Sequence, residues 1–367
     1  MSWDPQVPYD ELPPLPPPGD LESRTVLKAT VAARASLAAL DQAARLLPNP
    51  AVLLNAATLL EAQASSEIEN VVTTADDLFR YAVDDESADH ATREALRYRA
   101  ALYEGVAALT TRPVTFGVAE RVCSRIKDID MSVRRMPGTR IANPVTREVV
   151  YAPPEGQEVI REKLTNWERF LHQEDDGLDP LVRMAVAHYQ FEAIHPFHDG
   201  NGRTGRILNI LVLLELGLIA EPVLYMSRYI IRHKGEYYRL LNAVTGAGAW
   251  QDWIIYMLDA VDRTARSTLL KIEAVREVQA DLADRARLAT RGGRDAAFLD
   301  LLFEQPYTRI KTVMERCDVS RPTATGWLAD LVAAGVLTER RAGRDRLFRN
   351  HRFLEALLAD ELEQLGG

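Results

Sequence analysis

The sequence predicts a mainly α-helical protein. Apolar residues recur at helical spacing over long stretches, as in the Ala- and Leu-rich segment that starts at Glu22. Another stretch is long, charged and helical in pattern, and it runs from Leu258 to Ala289. Extended runs bounded by turn residues are short and occur within 138–154 and 335–349. They predict small hairpins and not a large sheet.

The composition indicates an ordinary globular protein with more than one domain. The 367 residues suffice for two or three domains, and 47% are hydrophobic and 26% charged. The chain has no run of about 18 apolar residues and no secretory signal, so we expect a cytoplasmic protein without a membrane span. Cys123 and Cys317 lie far apart, which favours reduced thiols. A net charge of −9 argues against a surface devoted wholly to nucleic acid.

The N-terminal part of the chain begins with an arm and continues in helices. Seven prolines between residues 5 and 18 predict an extended arm, packed over the protein's own surface or, less favoured, bound by an SH3-type partner. Asn49-Pro50 predicts an N-cap followed by proline in the first turn. The helix that begins there runs into Ser65-Ser66-Glu67-Ile68-Glu69-Asn70. Ser65 and Glu69 are four residues apart and therefore share one helix face.

The most informative stretch is His195-Pro-Phe-His-Asp-Gly-Asn-Gly-Arg-Thr-Gly-Arg206. The apolar segment 207–217 follows it and predicts a buried helix that ends at a glycine. A loop at a helix N-terminus offers free N–H groups and the positive end of the helix dipole to an anion. Gly200 and Gly202 let the backbone approach a phosphate closely, and Arg203 and Arg206 can bind phosphate oxygens.

Two further residues of this stretch suit catalysis. Asp199 is an oxygen ligand of the kind that Mg²⁺ takes together with substrate phosphates. His195 has an ordinary pKa near neutrality, as a general base requires. His198 is interpreted as structural or solvent-facing. Two alternatives are a plain polar loop between core helices and a phosphohydrolase metal cluster formed by His195, His198 and Asp199, which needs further ligands.

The twelve residues resemble, position by position, the Fic family signature H-P-F-x-[D/E]-G-N-G-R-x-x-R. The resemblance implies a Fic-fold helical core that transfers AMP from ATP to a Ser, Thr or Tyr hydroxyl of a target protein. It makes His195 the base, Asp199 the ligand of Mg²⁺ on the α and β phosphates, and Arg206 the ligand of the γ-phosphate. The ATP site would further comprise Gly200, Asn201, Gly202, Arg203, Thr204 and Gly205.

The resemblance extends to three other segments. Ser65, Glu69 and Asn70 match the family's inhibitory motif [S/T]-x-x-x-E-[G/N], which implies that Glu69 pairs with Arg206 and makes ATP bind non-productively. A hairpin at Ile141, Ala142 and Asn143 corresponds to the flap that docks the target's extended segment, although it could also be a plain surface hairpin. Tyr237 and Tyr238 correspond to a pair near the adenine pocket, with core packing as the alternative. A homodimer is a further possibility.

Residues 296–352 predict a winged helix. Its elements would be helices at 310–317 and 323–331 and wing strands at 335–340 and 346–349, around a turn at Ala342-Gly343. Between Tyr307 and Arg352 there are ten basic and five acidic residues, the excess expected of a DNA-binding module. Packing or dimer contacts are the alternative use of this segment.

We predict four regions, in a layout similar to that of SoFic-like proteins over nearly the whole chain. They are the arm and N-terminal helices with the inhibitory helix (1–85), the Fic catalytic core (86–270), a helical linker (271–295) and a winged helix-turn-helix (296–367). The glycine pair within Thr290–Arg294 marks the last boundary. Alternative functions are a DNA-binding regulator with a nucleotide-sensing Fic domain, or a Fic enzyme that removes AMP or uses another nucleotide. Intact Asp199 and Arg206 favour ATP and AMP transfer.

Overall fold

A computed structural model describes residues 3–47, 49–82, 88–143, 146–173, 176–342 and 345–359. The N-terminal helices are α1 (Arg24–Arg45), α2 (Pro50–Ile68), α3 (Ala75–Tyr81), α4 (His90–Ala108) and α5 (Phe116–Lys127). The hairpin strands β1 (Ile141–Ala142) and β2 (Val149–Tyr151) follow. The central helices are α6 (Gln157–Leu171), α7 (Pro180–Ile194), α8 (Asn201–Glu215), α9 (Ser227–Arg232), α10 (Lys234–Ala247) and α11 (Trp250–Ala289).

The C-terminal module comprises residues 295–359. Its elements are α12 (Ala296–Glu304), β3 (Tyr307–Arg309), α13 (Ile310–Cys317), α14 (Arg321–Ala333), β4 (Thr338–Ala342), β5 (Asp345–Arg349) and α15 (His351–Leu358). The three strands form an antiparallel sheet in the order β3-β5-β4, with Tyr307 and Thr338 both paired to Arg349. The prediction of a mainly helical protein with small antiparallel sheets is confirmed.

Local sequence signals explain several helix starts. The Asn49 side chain accepts a hydrogen bond from the Ala51 N–H, and Pro50 occupies the first turn of α2, as predicted. Asp179 caps α7 in the same way through the Leu181 N–H. Helix α7 is buried on nearly all sides and lies at the centre of the domain, which agrees with its continuous apolar sequence.

Two hydrophobic cores meet at α2. The larger core is built by α1, α4 to α10 and the first half of α11. The second core joins one face of α2, represented by Val52, Ala56 and Leu59, to α3, the second half of α11 and the C-terminal module. Helix α2 also contributes Leu53 and Ile68 to the larger core. The helix that carries the predicted inhibitory motif therefore packs in both.

The N-terminal arm packs on the protein's own surface, as predicted. Leu12 and Leu15 are buried, with 3% and 6% of their surface exposed. The Asn166 side chain binds both backbone groups of Leu15, at 2.7 and 2.9 Å. Lys163 Nζ donates to the Leu12 carbonyl at 2.8 Å.

Cys123 and Cys317 are free thiols, as expected from their separation in the sequence.

The structure corrects several predicted boundaries. Helix α8 begins at Asn201, six residues before the predicted start, because Gly200 caps it with φ +82° and the glycines of the signature are accommodated inside the helix. Helix α11 begins at Trp250, eight residues before the predicted start at Leu258, and ends at Ala289, as predicted. The pair Gly292-Gly293 is buried in a short 3-10 helix. The backbone is packed closely there, because a Cβ on Gly293 would lie 2.1 Å from the Ala286 carbonyl oxygen.

The C-terminal module contains the predicted helices and strands with shifted ends. Helix α14 begins at Arg321 because Ser320 caps it, and β4 begins at Thr338, three residues later than predicted. Strand β3 was not predicted. The hairpin tip at 144–145, the turn residues 343–344 and the predicted boundary at 85 lie outside the described residues. Within the described ranges, no helix has the length and apolarity needed to cross a membrane.

Candidate functional site

The loop between α7 and α8 is fixed by hydrogen bonds at both ends. His195 ends α7 in a left-handed conformation with φ +49°, and its N–H donates to the Phe191 carbonyl. The Asn201 side chain accepts from the Phe197 N–H and donates to the Phe197 carbonyl, both at 2.8 Å. Arg134 donates from Nε to the His195 carbonyl at 2.8 Å. These bonds hold a strained backbone that aims the His195 side chain.

The first turn of α8 has the geometry expected of an anion site. Gly200 is held with φ +82°, and a Cβ there would lie 3.1 Å from Cys123 Sγ. The N–H groups at the start of α8 are directed towards the loop, where the helix dipole favours negative charge. Asp199 Oδ1 accepts the Gly200 N–H at 2.6 Å.

Arg206 is held by α2 through three hydrogen bonds. Its Nε donates to Ser65 Oγ at 2.8 Å and its Nη2 to the Ser65 carbonyl at 2.8 Å. Nη2 also donates to Glu69 Oε1 at 3.0 Å. The contact between Glu69 and Arg206, expected from the inhibitory motif, is therefore present. Glu69 fills the space beside Gly202, where a Cβ would lie 2.3 Å from Glu69 Oε1.

A cavity of about 500 Å³ opens beside this contact, a volume suited to a small-molecule ligand. It brings together residues that are far apart in sequence. They are Ile68, Glu69 and Asn70 at the end of α2, Ile141, Ala142 and Asn143 of the hairpin, Tyr189, Glu192 and His195 around the end of α7, Gly202 of α8, and Tyr238 of α10. The predicted base, flap, inhibitory residue and one tyrosine of the pair thus line the same space.

The environment of His195 favours its neutral form. Burial, followed by the charge of Arg134, lowers the pKa of His195 to about 4. The ring is therefore unprotonated at neutral pH and can accept a proton. Its Nδ1 atom is buried without a hydrogen-bond partner among the described residues. His198 is exposed, as expected for a variable position.

Asp199 is the one residue of the signature with an exposed carboxylate. Lys127 Nζ lies 2.5 Å from its Oδ2 atom, and 53% of the Asp199 side chain is exposed. Burial acts to raise the pKa of Asp199, but the hydrogen bond and charge of Lys127 outweigh it and lower the pKa. Among the described residues, no group of three or more His, Cys, Asp or Glu is placed to hold a metal. A single carboxylate fits Mg²⁺ that is held mainly by phosphates and water.

Several of the predicted ATP residues do not line the cavity. Arg203 is 3% exposed, and its Nη1 atom binds Glu94 Oε1 at 2.5 Å instead of facing the cavity. Tyr237 is buried behind the cavity wall, with its hydroxyl 2.9 Å from His188 Nε2. Of the tyrosine pair, only Tyr238 lines the cavity. Thr204 and Gly205 are buried inside α8 and contribute to helix packing.

Two buried carboxyls at the site were not predicted. Glu192 lines the cavity, its Oε1 atom has no partner within the described ranges, and burial raises its pKa to about 7. Glu61 on α2 binds the Ser227 N–H at 3.1 Å and the Tyr98 hydroxyl at 3.0 Å, and burial raises its pKa to about 7. An acidic residue inside an otherwise apolar helix is the signal that could have identified both.

Fold and site together define a Fic-type helical domain with an appended C-terminal module. Three family models match: the Fic/DOC family N-terminal domain over 27–107, the Fic/DOC family over 117–213, and the C-terminal domain of SoFic-like protein adenylyltransferases over 295–353. The signature and the inhibitory motif lie within the matched ranges. The chain therefore belongs to the Fic/DOC family.

Individual relatives match over limited stretches. Protein adenylyltransferase fic-1 of Caenorhabditis briggsae is 33% identical over 105 residues, which cover 28% of this chain and 19% of that protein. Protein adenylyltransferase Fic of Drosophila melanogaster is 28% identical over 165 residues, 42% of this chain and 32% of that protein. The chain thus spans less than a third of the length of these relatives.

Solved structures resemble the fold over most of the chain. The crystal structure of a Fic family protein from Desulfovibrio desulfuricans G20 has a TM-score of 0.55 at 19% identity and covers 91% of this chain and 98% of that one. A Fic domain containing signaling protein from Bacteroides thetaiotaomicron has a TM-score of 0.50 at 17% identity, over 68% and 98%. At these identities the similarity concerns the fold alone.

Proposed function

We propose that this protein transfers AMP from ATP to a Ser, Thr or Tyr hydroxyl of a target protein, and that Glu69 restrains the reaction. The observation that carries the proposal is the shared cavity. A neutral His195 and Glu69, the carboxylate that occupies Arg206, line the same cavity next to the start of α8. The matched family and the adenylyltransferase names of the relatives support the same activity.

The proposed reaction is a displacement at the α-phosphorus. His195 accepts the proton of the target hydroxyl, and the oxygen forms a bond to the α-phosphorus of ATP. The bond between the α-phosphorus and the bridging oxygen of the β-phosphate breaks, and pyrophosphate leaves with the electron pair. The start of α8 stabilises the negative charge that develops. Strand β1 presents an open edge beside His195 on which an extended target segment can pair.

Asp199 would hold Mg²⁺, which neutralises charge on the α and β phosphates when bound. Glu69 controls a different group. In this arrangement Arg206 is engaged by Glu69 and Ser65, so a γ-phosphate has to compete with Glu69 for the guanidinium. A nucleotide that enters without displacing Glu69 lacks that anchor and holds its α-phosphate away from His195.

ATP labelled at the α or at the γ position tests the proposed reaction. The Glu69→Gly protein should incorporate the α label into protein and no γ label, since AMP and not phosphate is transferred. His195→Ala in the same background should bind ATP with unchanged affinity and lose transfer by about 10²–10⁴-fold. Incorporation of γ label would instead indicate phosphate transfer, and full α transfer by His195→Ala would refute the assigned base.

The alternative of a DNA-binding regulator has less support. The segment 307–352 has the strand and helix order of a winged helix, but five of its basic side chains are paired with carboxylates. The pairs are Lys311–Glu315, Arg316–Glu304, Arg346–Glu339, Arg349–Asp76 and Arg352–Asp281. We expect the full-length protein to show no salt-sensitive DNA affinity, and strong operator binding without label transfer would favour the regulator. A homodimer and a cytoplasmic location stay predictions.

A further inference from the structure

Four charged side chains form a network that joins the signature to the N-terminal helices. Arg203 Nη1 lies 2.5 Å from Glu94 Oε1 on α4, with 3% and 8% of the two side chains exposed. Lys127 Nζ on α5 lies 3.6 Å from the same Glu94 oxygen and 2.5 Å from Asp199 Oδ2. Within this network, Glu94 is the carboxylate that contacts both cations.

We propose that Glu94 is a positioning residue for the phosphate site, an inference that rests on the proposed function. Because Glu94 is charged, Lys127 interacts with two carboxylates, Glu94 and Asp199, and not with Asp199 alone. Without Glu94, Asp199 is the remaining carboxylate partner of Lys127 in the network. The ion pair between Lys127 and Asp199 is then stronger, and Mg²⁺ has to displace it in order to bind Asp199. Changes next to a metal ligand typically alter metal affinity by about 10–100-fold. Loss of Glu94 should raise the Mg²⁺ requirement of ATP binding about tenfold.

Glu94→Gln tests this because it keeps the side-chain length and an acceptor while it removes the charge. The parent carries Glu69→Gly and His195→Ala, so that ATP binds without turnover. Calorimetric ATP affinity is measured over a range of Mg²⁺ concentrations. Glu104→Gln is the matched control, since Glu104 lies on the same helix and is 48% exposed. The control should leave the Mg²⁺ requirement unchanged.

Lys127→Met separates positioning from stability. Added to Glu94→Gln, it should abolish the rise in Mg²⁺ requirement, whereas a purely structural Glu94 would lower the unfolding midpoint and leave the requirement unchanged. A rise that persists without Lys127, or no rise at all, overturns the inference. If Glu94→Gln does not fold, Lys127→Met alone should lower the requirement, and an unchanged or higher one refutes the idea. A parent that binds no ATP contradicts the proposed function instead.

A separate observation concerns the C-terminal module. Glu69 lies in the connection between α2 and α3, and both helices rest on that module. Leu59 of α2 and Phe79 of α3 belong to the same buried core as Phe298 and Leu302 of α12. At the start of α3, Asp76 accepts a hydrogen bond from the Tyr307 hydroxyl of β3.

Arg349 completes this contact. Its Nη1 atom lies 3.8 Å from Asp76 Oδ1, and Arg349 pairs with Tyr307 across the β3–β5 ladder. We infer that the C-terminal module restrains the segment that carries Glu69 and thereby keeps AMP transfer low. This inference also rests on the proposed function. Loosening the contact should free Glu69 from Arg206 more often.

The double variant Tyr307→Phe with Arg349→Gln removes the polar contact and leaves the hydrophobic core intact. One hydrogen bond and one half-exposed ion pair predict a two- to tenfold rise in transfer of the α label. Arg346→Gln is the matched control on the same strand, because Arg346 pairs with Glu339 within the module.

The effect must depend on Glu69. With Glu69→Gly, the double variant should add nothing, because the inhibitory carboxylate is already absent. No rise with Glu69 in place, or an equal rise without it, overturns the inference. Label transfer by Glu69→Gly alone shows that the proposed function stands independently of this result.

Discussion

Glu69→Gly should raise AMP transfer about tenfold or more. Glu69 contributes one charge-assisted hydrogen bond to Arg206, with Nη2 and Oε1 3.0 Å apart. Such bonds contribute about 1.5–3 kcal/mol, and the lower end applies because 34% of the Glu69 side chain is exposed. About 1.4 kcal/mol corresponds to tenfold in an equilibrium constant. Glycine also empties the space beside Gly202, so tenfold is the lower bound.

The assay for this prediction is incorporation of α-labelled AMP into the protein itself or a substrate mixture. Glu67→Gly is the control, since Glu67 is exposed in the last turn of α2, two residues before Glu69, and glycine there costs about 1 kcal/mol of helix propensity. It should match the wild type. Arg206→Ala added to Glu69→Gly should remove the gain. If Glu69→Gly were no more active than Glu67→Gly, the Glu69–Arg206 contact would be structural and the reasoning refuted.

Three further predictions follow from the site. Transfer by Glu69→Gly should be constant over roughly pH 6–8 and fall only in acid, with a midpoint at or below about pH 4. The base must be neutral, burial and Arg134 lower the pKa of His195 to about 4, and the Glu69 charge that acts to raise this pKa is absent in the variant. A midpoint near 6.5 would contradict the buried ring. Asn201→Ala should lower the free energy of unfolding by about 1–3 kcal/mol in urea titrations, because two hydrogen bonds to Phe197 are lost. An unchanged free energy of unfolding would argue against the role of Asn201 in fixing the loop. In the folded protein the pKa of Glu61 is raised to about 7. Protonated Glu61 therefore stabilises the fold fully at pH values below the pKa of a glutamate in the unfolded chain, and this stabilisation is lost as the pH rises through 7. The melting temperature of Glu61→Gln should therefore fall less than that of the wild type between about pH 5 and 8.

Most of the features that could be predicted depend on residues that are close together in the sequence. Asn49 caps α2, as predicted, because its side chain reaches a nearby backbone N–H, which depends on local sequence alone. Ser65 and Glu69 share a face because of helix geometry, and both contact Arg206. The signature predicted the base and the anion site because its twelve residues form one continuous loop and helix start.

Residues that act through distant partners could not be predicted. Glu94 lies over a hundred positions before Arg203, and no local pattern indicates that they form a buried pair. Tyr237 and Tyr238 are adjacent, and only the packing of α10 decides that the first is buried and the second lines the cavity. The predicted start of α8 lies too late in the chain because glycines ordinarily indicate a loop, whereas Gly202 and Gly205 lie inside the helix.

The way α2 is anchored determines how the proposed inhibition by Glu69 could be released. Ser65 is fully buried, and Glu61 ties the same helix to Ser227, so the body of α2 cannot move without disturbing the core. Glu69 follows the last helical residue, is one-third exposed and precedes Asn70, whose φ is +63°. Rotation of the Glu69 side chain frees one N–H of Arg206 Nη2, while Nε and the other N–H of Nη2 stay bonded to Ser65 and keep the guanidinium in place. Release therefore requires movement of one side chain and its connection to α3, and the arginine is already positioned for a phosphate when that happens.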